Sequence, residues 1–164
     1  MGAVLAEFAG AAVAPMHALT GALLGSVAAM AIASSAIAWF VWLVHYPTLL
    51  RQAAEKGHVY PGRHDRALHG GAVMLLVEFA LGCADLALSP PPALSALVPF
   101  GMHVMVSVDT LDTLLPIHVC MLRKYRPWHA RTLMHHQLHR AVLRTGRALW
   151  LAAVCVRFMI KDCT

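Results

Sequence analysis

Charged residues are scarce in this chain. Lys, Arg, Asp and Glu make up 13% of its 164 residues, whereas a soluble globular domain typically has about 25%. Apolar residues make up 59% and are gathered into long runs. A hydrocarbon core about 30 Å thick needs roughly 20 apolar residues per helix. The composition therefore excludes an ordinary soluble domain, and the chain length indicates a single domain.

The sequence also lacks the motifs of several common enzyme classes. It has no nucleophile elbow, phosphate-binding loop, dinucleotide fingerprint or zinc-protease helix. Its four cysteines form no CxxC pair, and most lie in apolar runs, which is typical of small buried side chains. The net charge of +5 comes from basic residues that flank apolar runs. Basic residues at the ends of apolar runs are typical of residues that orient a protein in the membrane. The positive charge therefore does not lead us to expect nucleic acid as a partner.

The apolar runs predict an all-α fold, an integral membrane four-helix bundle that occupies residues 1–164. Small residues fill the first span, and helices in lipid associate through the close backbone approach that such residues permit. Helix contacts are therefore expected at Gly21, Gly25, Ala29 and Ser34 or Ser35. The predicted spans are residues 19–46, 69–88, 96–122 and 141–160, with interfacial helices at residues 3–14 and 127–139.

Basic residues are unevenly distributed between the two sides of the predicted bundle. The positive-inside rule predicts that the first and third loops face the cytoplasm and that both termini lie on the non-cytoplasmic side. A bacterial inner membrane is the expected location, with the mitochondrial inner membrane as the alternative. The basic residues on the cytoplasmic side are Arg51, Lys56, Arg63, Arg66, Arg123, Lys124, Arg126, Arg131, Arg140 and Arg144.

Aromatic residues mark the end of the first span. Trp39 and Trp42 precede Pro47, and Trp128 lies in the third loop. Indole rings have an apolar body and a polar tip, so all three tryptophans are predicted to anchor the bundle at the membrane interface. Pro47 lacks a backbone donor, so the first helix is expected to leave the bilayer at this point.

Most of the eleven histidines fall on the predicted cytoplasmic side, at the ends of spans or in loops. Histidine is a common metal and haem ligand and exchanges protons near neutral pH. For a histidine in a loop, hydrogen bonding to headgroups and water is the simpler interpretation. Asp65 and His69 are four residues apart and share a helix face, so Asp65 could orient His69 as a metal ligand, or the two could form a surface ion pair. The candidates for a metal or haem site are the histidines near span ends, His45, His64, His69 and His118.

Acidic residues occur inside the predicted spans, where an ionised carboxylate costs at least about 2.5–3.5 kcal/mol. Such residues are candidates for a proton relay or for supporting a metal site, and His103 is a further potential partner. A structural ion pair of Arg147 with Glu78 or Asp112 is the alternative. The predicted relay or supporting residues are Glu78, Asp109, Asp112, Arg147 and Tyr46.

Several short motifs resemble those of a group of small four-helix bacterial membrane proteins, most of which have no assigned activity. The resemblance covers about residues 36–158, and a more distant similarity is to membrane anthrone-oxygenase-like proteins. The group tends to have Asn where this chain has Arg144, so its polar network is not carried over at that position. The matching residues are Val44-His45-Tyr46-Pro47, His64, Glu78, Pro116-Ile117-His118, and His139-Arg140 through Arg147 and Trp150.

Three functions are compatible with these patterns. The favoured expectation is a metal- or haem-binding membrane protein that acts in redox chemistry, because histidines recur at the ends of the spans. The first alternative is a non-catalytic subunit or assembly factor of a larger membrane complex of the respiratory type. The second is a small proton-coupled transporter, which would need to be at least a homodimer. No feature of the sequence names a substrate.

Overall fold

The computed structural model is all-helical over the residues it describes. These are residues 2–57, 61–88 and 94–162, with side chains described for 19–57, 70–88 and 94–160. Four continuous rods are separated by short connections, and two of the rods each contain one π-helical turn. The elements are α1 Gly2–Phe40, a π turn Val41–His45, α2 Tyr46–Lys56, α3 Pro61–Leu88, α4 Leu94–Asp109, a π turn Thr110–Leu114, α5 Leu115–Arg123 and α6 Pro127–Asp162.

The rods form a four-membered bundle. Helix α1 packs against α3 and α6, and α4 packs against the same two helices. Gly57 ends α2 in the left-handed conformation, with φ of 77°, which a residue without Cβ adopts at little cost. The carbonyl oxygen of Gly57 accepts a hydrogen bond of 2.9 Å from the Tyr125 backbone N–H. The first and third connections therefore meet at the same end of the bundle.

Each π turn precedes a proline. Pro47 and Pro116 lie in the first turns of α2 and α5, and each lacks the N–H that would bond the carbonyl four residues back. In both cases that carbonyl belongs to the π turn, where the wider helix relieves the crowding by the proline ring. The first rod therefore changes to the wider π pattern before Pro47 and continues as a helix to Lys56. The sequence had predicted that the helix leaves the bilayer at Pro47 and that Arg51 and Lys56 lie in a loop.

Three described stretches are long and apolar enough to cross a membrane. They are Leu19–Lys56, Gly70–Leu88 and Leu94–Arg123. The fourth predicted span, residues 141–160, lies within α6 and is not among the three. Helix α6 is unbroken, so residues 127–139, predicted as an interfacial helix, are continuous with the fourth predicted span, and residues 3–14 lie within α1. The fold supports an integral membrane protein with at least these three candidate spans.

The contact face of α1 was predicted only in part. Ser34 and Ser35 are buried, and a Cβ on Gly21 would lie 3.2 Å from the Phe158 ring. Gly25 and Ala29, in contrast, are exposed, and a Cβ on Gly25 would have no neighbour within 4 Å. The helix is rich in small residues all round, so composition did not identify the buried face.

Candidate functional site

A buried ionic cluster occupies the interior of the bundle. Glu78 of α3 is 1% exposed, and its two carboxylate oxygens contact three donors. Arg147 Nη1 donates to Oε2 at 2.7 Å and Arg144 Nη1 donates to Oε1 at 3.3 Å. His103 Nδ1 lies 3.0 Å from Oε2. The cluster therefore joins α3, α4 and α6.

The cluster explains how the bundle holds an acid and two arginines away from water. A buried carboxylate requires opposite charge and hydrogen-bond donors, and Glu78 has both. The predicted structural ion pair with Arg147 is present, whereas Asp112 is exposed. With these donors in place, the carboxylate is suited to holding helices together. To act as the predicted proton carrier, it would first have to give up some of these contacts.

Arg144 was not predicted to be a partner of Glu78; it was placed on the basic cytoplasmic side together with Arg140. The signal was available in the spacing. Positions 140, 144 and 147 recur at intervals of four and three, which places them on one helix face. That face points into the bundle, where Arg144 and Arg147 are buried.

A cleft of about 550 Å³ lies beside the cluster. Its walls come from all four rods and are mostly apolar. Ile37, Phe40 and Leu111 line the cleft and are exposed, so it opens on the apolar outside of the bundle.

Both π turns contribute to the lining of the cleft, through Val41 and His45 on one side and Thr110, Leu111 and Leu114 on the other. Irregular turns of this kind are frequent at functional sites.

A polar wall closes the inner side of the cleft. Tyr46 and His118 are buried there, with the Tyr46 hydroxyl 3.2 Å from His118 Nε2. His118 Nδ1 lies 2.7 Å from the Leu114 carbonyl oxygen. Because a carbonyl only accepts, Nδ1 carries the proton and Nε2 accepts from the tyrosine. Gln137, Arg140 and Arg144 of α6 complete the wall.

Three residues highlighted by the sequence have different relations to the cleft. His45 is partly buried and lines it, with its ring centroid 5.8 Å from that of Tyr46. His118 lines it as well. Glu78 does not line it, but its partner Arg144 does. The structure thus brings His45, Tyr46 and His118 together at the cleft, and Arg144, which contacts Glu78, lines the same cleft.

The other predicted relay and anchor residues do not line the cleft. Asp109 pairs with His136, whose Nδ1 is 2.6 Å from Oδ1. Trp39 donates from Nε1 to the Thr145 hydroxyl at 2.9 Å, so its polar tip is satisfied within the bundle and not by a headgroup. Trp42 packs edge-on against Trp39. Trp128 is exposed, as an interfacial anchor would be.

The predicted metal or haem site stays a prediction. Among the residues whose side chains are described, no three His, Cys, Asp or Glu side chains lie close enough together to hold a metal ion. His118 uses both ring nitrogens within the protein. The side chains of His64 and His69 lie outside the described residues. The geometry that is described offers, instead, an apolar cleft with one polar wall.

The chain was also compared with known proteins. No protein-family model, no curated protein and no solved structure gives a significant match.

Proposed function

We propose that this protein is an integral membrane protein that binds a small amphiphilic, lipid-soluble molecule in the cleft. The observation that carries the proposal is the cleft itself, which has apolar walls, an apolar rim and one polar wall. Its volume falls within the roughly 300–1,000 Å³ of small-molecule sites, which combine apolar linings with a few placed polar groups. Sites between the helices of a bundle commonly have this composition.

The rim indicates the route of entry. Ile37, Phe40 and Leu111 are exposed at the opening, and in a membrane these side chains would face acyl chains. A lipid-soluble molecule could therefore enter sideways from the bilayer, with its apolar part along Val41 and Leu75 and its polar part against Tyr46. A water-soluble metabolite would have to cross the same apolar rim, which disfavours it.

The membrane arrangement is part of the proposal. Helix α6 acts as a fourth span, since Glu78 offsets the charges of Arg144 and Arg147 inside the bundle. Both termini then lie on the non-cytoplasmic side of a bacterial inner membrane. The contact between Gly57 and Tyr125 supports this, because it gathers the basic ends of α2 and α5 at one end of the bundle, as the positive-inside rule expects of a cytoplasmic side.

This arrangement predicts which residues a water-soluble reagent reaches. In a variant that lacks the native cysteines, a cysteine at exposed Arg131 is expected to react with a membrane-impermeant maleimide only after the inner membrane is broken. A cysteine placed after Thr164 is expected to react in intact spheroplasts. The reverse pattern would contradict the orientation.

Filling the cleft is expected to abolish binding. Gly71 lines the cleft, and a Cβ there would meet nothing within 4 Å, so Gly71→Phe adds a ring to the cleft without a clash in the helix. Native mass spectrometry of the detergent-solubilised protein with palmitate, methyl palmitate or decylubiquinone measures the bound fraction. The wild type is expected to bind at least one probe, and Gly71→Phe to lose it.

The matched control is Gly25→Phe. Gly25 is exposed on α1, does not line the cleft, and also has open space around its Cβ position. This variant is expected to bind like the wild type. The proposal fails if none of the three probes binds the wild-type protein, or if the two phenylalanine variants lose binding equally.

The other functions expected from the sequence remain proposals. A redox role with a metal or haem would use His45 at the cleft and is tested by metal analysis and an optical spectrum of the purified protein. A subunit role predicts co-purification with a larger complex in mild detergent. A proton-coupled transporter would need Glu78 to release its three donors, and Glu78→Gln with Asp109→Asn should then abolish transport.

A further inference from the structure

Arg140 stands apart from the other two arginines on its face of α6. Arg144 and Arg147 share the carboxylate of Glu78. Arg140 donates from Nη1 to the Gln137 side-chain oxygen at 3.0 Å. Within the described part of the chain, no carboxylate oxygen lies within 4 Å of its guanidinium. Arg140 is therefore a cation without an ion pair among the described residues.

Gln137 is held in the orientation that serves Arg140. The Gln137 side-chain nitrogen donates to the Ala38 carbonyl oxygen at 3.1 Å, and this bond turns the amide oxygen towards the guanidinium. Gln137 itself is buried. The arginine is thus positioned by a neutral side chain, and the carboxylates of Asp109 and Glu78 act on its charge only from a distance.

Two arginines on this wall of the cleft each have a donor without a partner in the described part of the chain. The Nε atoms of Arg140 and Arg144 are buried and have no hydrogen-bond partner among the described residues, and both arginines line the cleft. Asp109, at the end of α4, contacts His136 through Oδ1. Its Oδ2 is buried without a partner among the described residues, and its charge acts on Arg140 from beyond 4 Å. These Nε atoms are not accessible from the cleft, so a ligand would meet the partly buried Arg140 through the rest of its guanidinium. A cation against apolar walls without a described carboxylate within 4 Å is costly, so a bound group that supplies negative oxygens would be stabilised here.

We propose that the amphiphile in the cleft carries a carboxylate, as a long-chain fatty acid does, and that Arg140 binds this carboxylate. The inference rests on the proposed function, because it assumes that the cleft is a binding site. The planar guanidinium presents paired donors that match a carboxylate. The chain of the ligand lies along the apolar walls, and the Tyr46 side of the cleft surrounds the head.

The test compares two probes that share one chain. Palmitate carries the carboxylate and methyl palmitate replaces it by a neutral ester. Charge-assisted hydrogen bonds contribute about 1.5–3 kcal/mol, so palmitate is expected to bind roughly 10–100-fold more tightly to the wild-type protein. The measurement is a native mass spectrometry titration of each probe. It needs no variant, so a folding defect cannot obscure it.

Variants assign the preference to Arg140. Arg140→Gln is expected to weaken palmitate binding until it matches methyl palmitate, whose own affinity changes little. Arg140→Lys, which keeps the charge, is expected to retain part of the preference. Arg131→Gln is the control, because Arg131 is exposed on the same helix, and it should bind both probes like the wild type.

The outcomes separate this inference from the proposed function. If methyl palmitate or decylubiquinone binds the wild type as tightly as palmitate, the cleft is a binding site but the carboxylate preference is wrong. If palmitate is preferred and Arg140→Gln keeps the full preference, the assignment to Arg140 is wrong. If no probe binds, the proposed function fails first.

Discussion

Glu78→Gln is expected to lower the free energy of unfolding by about 3–5 kcal/mol, the usual cost of removing one partner of a buried ion pair. Glutamine keeps the shape of the side chain but removes its charge. Arg144 and Arg147 would then be buried cations without a partner, and His103 would lose its charged acceptor. Reversible unfolding of the detergent-solubilised protein, followed by circular dichroism, measures the change.

Two comparisons make this result specific. Glu55→Gln removes an exposed carboxylate that lies 4.0 Å from Arg51, and it is expected to cost less than about 1 kcal/mol. Replacing Glu78, Arg144 and Arg147 together by methionine removes both signs of charge and is expected to restore much of the loss. A Glu78→Gln protein as stable as Glu55→Gln would show that the cluster does not hold the bundle together.

Leu151→Ala is expected to cost about 2–5 kcal/mol, as for other large-to-small changes in a packed core. Leu151 is 0% exposed and packs in the interface of α1 and α6, with Leu24, Val27, Ala28 and Ala31 around it. The smaller side chain leaves a void that lipid cannot reach, so the surrounding groups lose their dispersion contacts. The same unfolding measurement reports the change.

Leu149→Ala is the matched control for Leu151→Ala. The two leucines are two residues apart, but Leu149 is 67% exposed on the outside of the bundle. Its truncation is expected to change the unfolding free energy by less than about 0.5 kcal/mol, as at other exposed positions. Equal effects at the two positions would contradict the helix rotation that the structure gives α6.

The local features of the fold could be read from the sequence. Long apolar runs predicted helices that are suited to a membrane, and three described stretches confirm this. Pro47 was expected to disturb its helix, and it follows a π turn. Both inferences depend on chain-local properties, namely the hydrophobicity of a run and the missing N–H of proline. The error at Pro47 was to expect an end where the helix adjusts and continues.

The candidate site could be predicted only in part. His45, Tyr46 and His118 were singled out, and they do meet at the cleft. Arg140 was counted as a loop residue, and Gln137 was not noticed. Glu78 was recognised as exceptional because an acid in an apolar run is costly wherever it points. The identity of its partners was open, since several basic side chains were within reach of an unknown helix arrangement.

By itself, the sequence determined that this protein consists largely of apolar helices and that a buried acid would need basic partners. Each of these follows from solvation and backbone chemistry within one segment. Tertiary structure decided which residues meet. Glu78 binds arginines 66 and 69 positions away, and the cleft draws on all four rods. Such contacts depend on the rotation of each helix about its axis. Close packing selects that rotation, and α1, which has small and apolar residues on all sides, does not encode it.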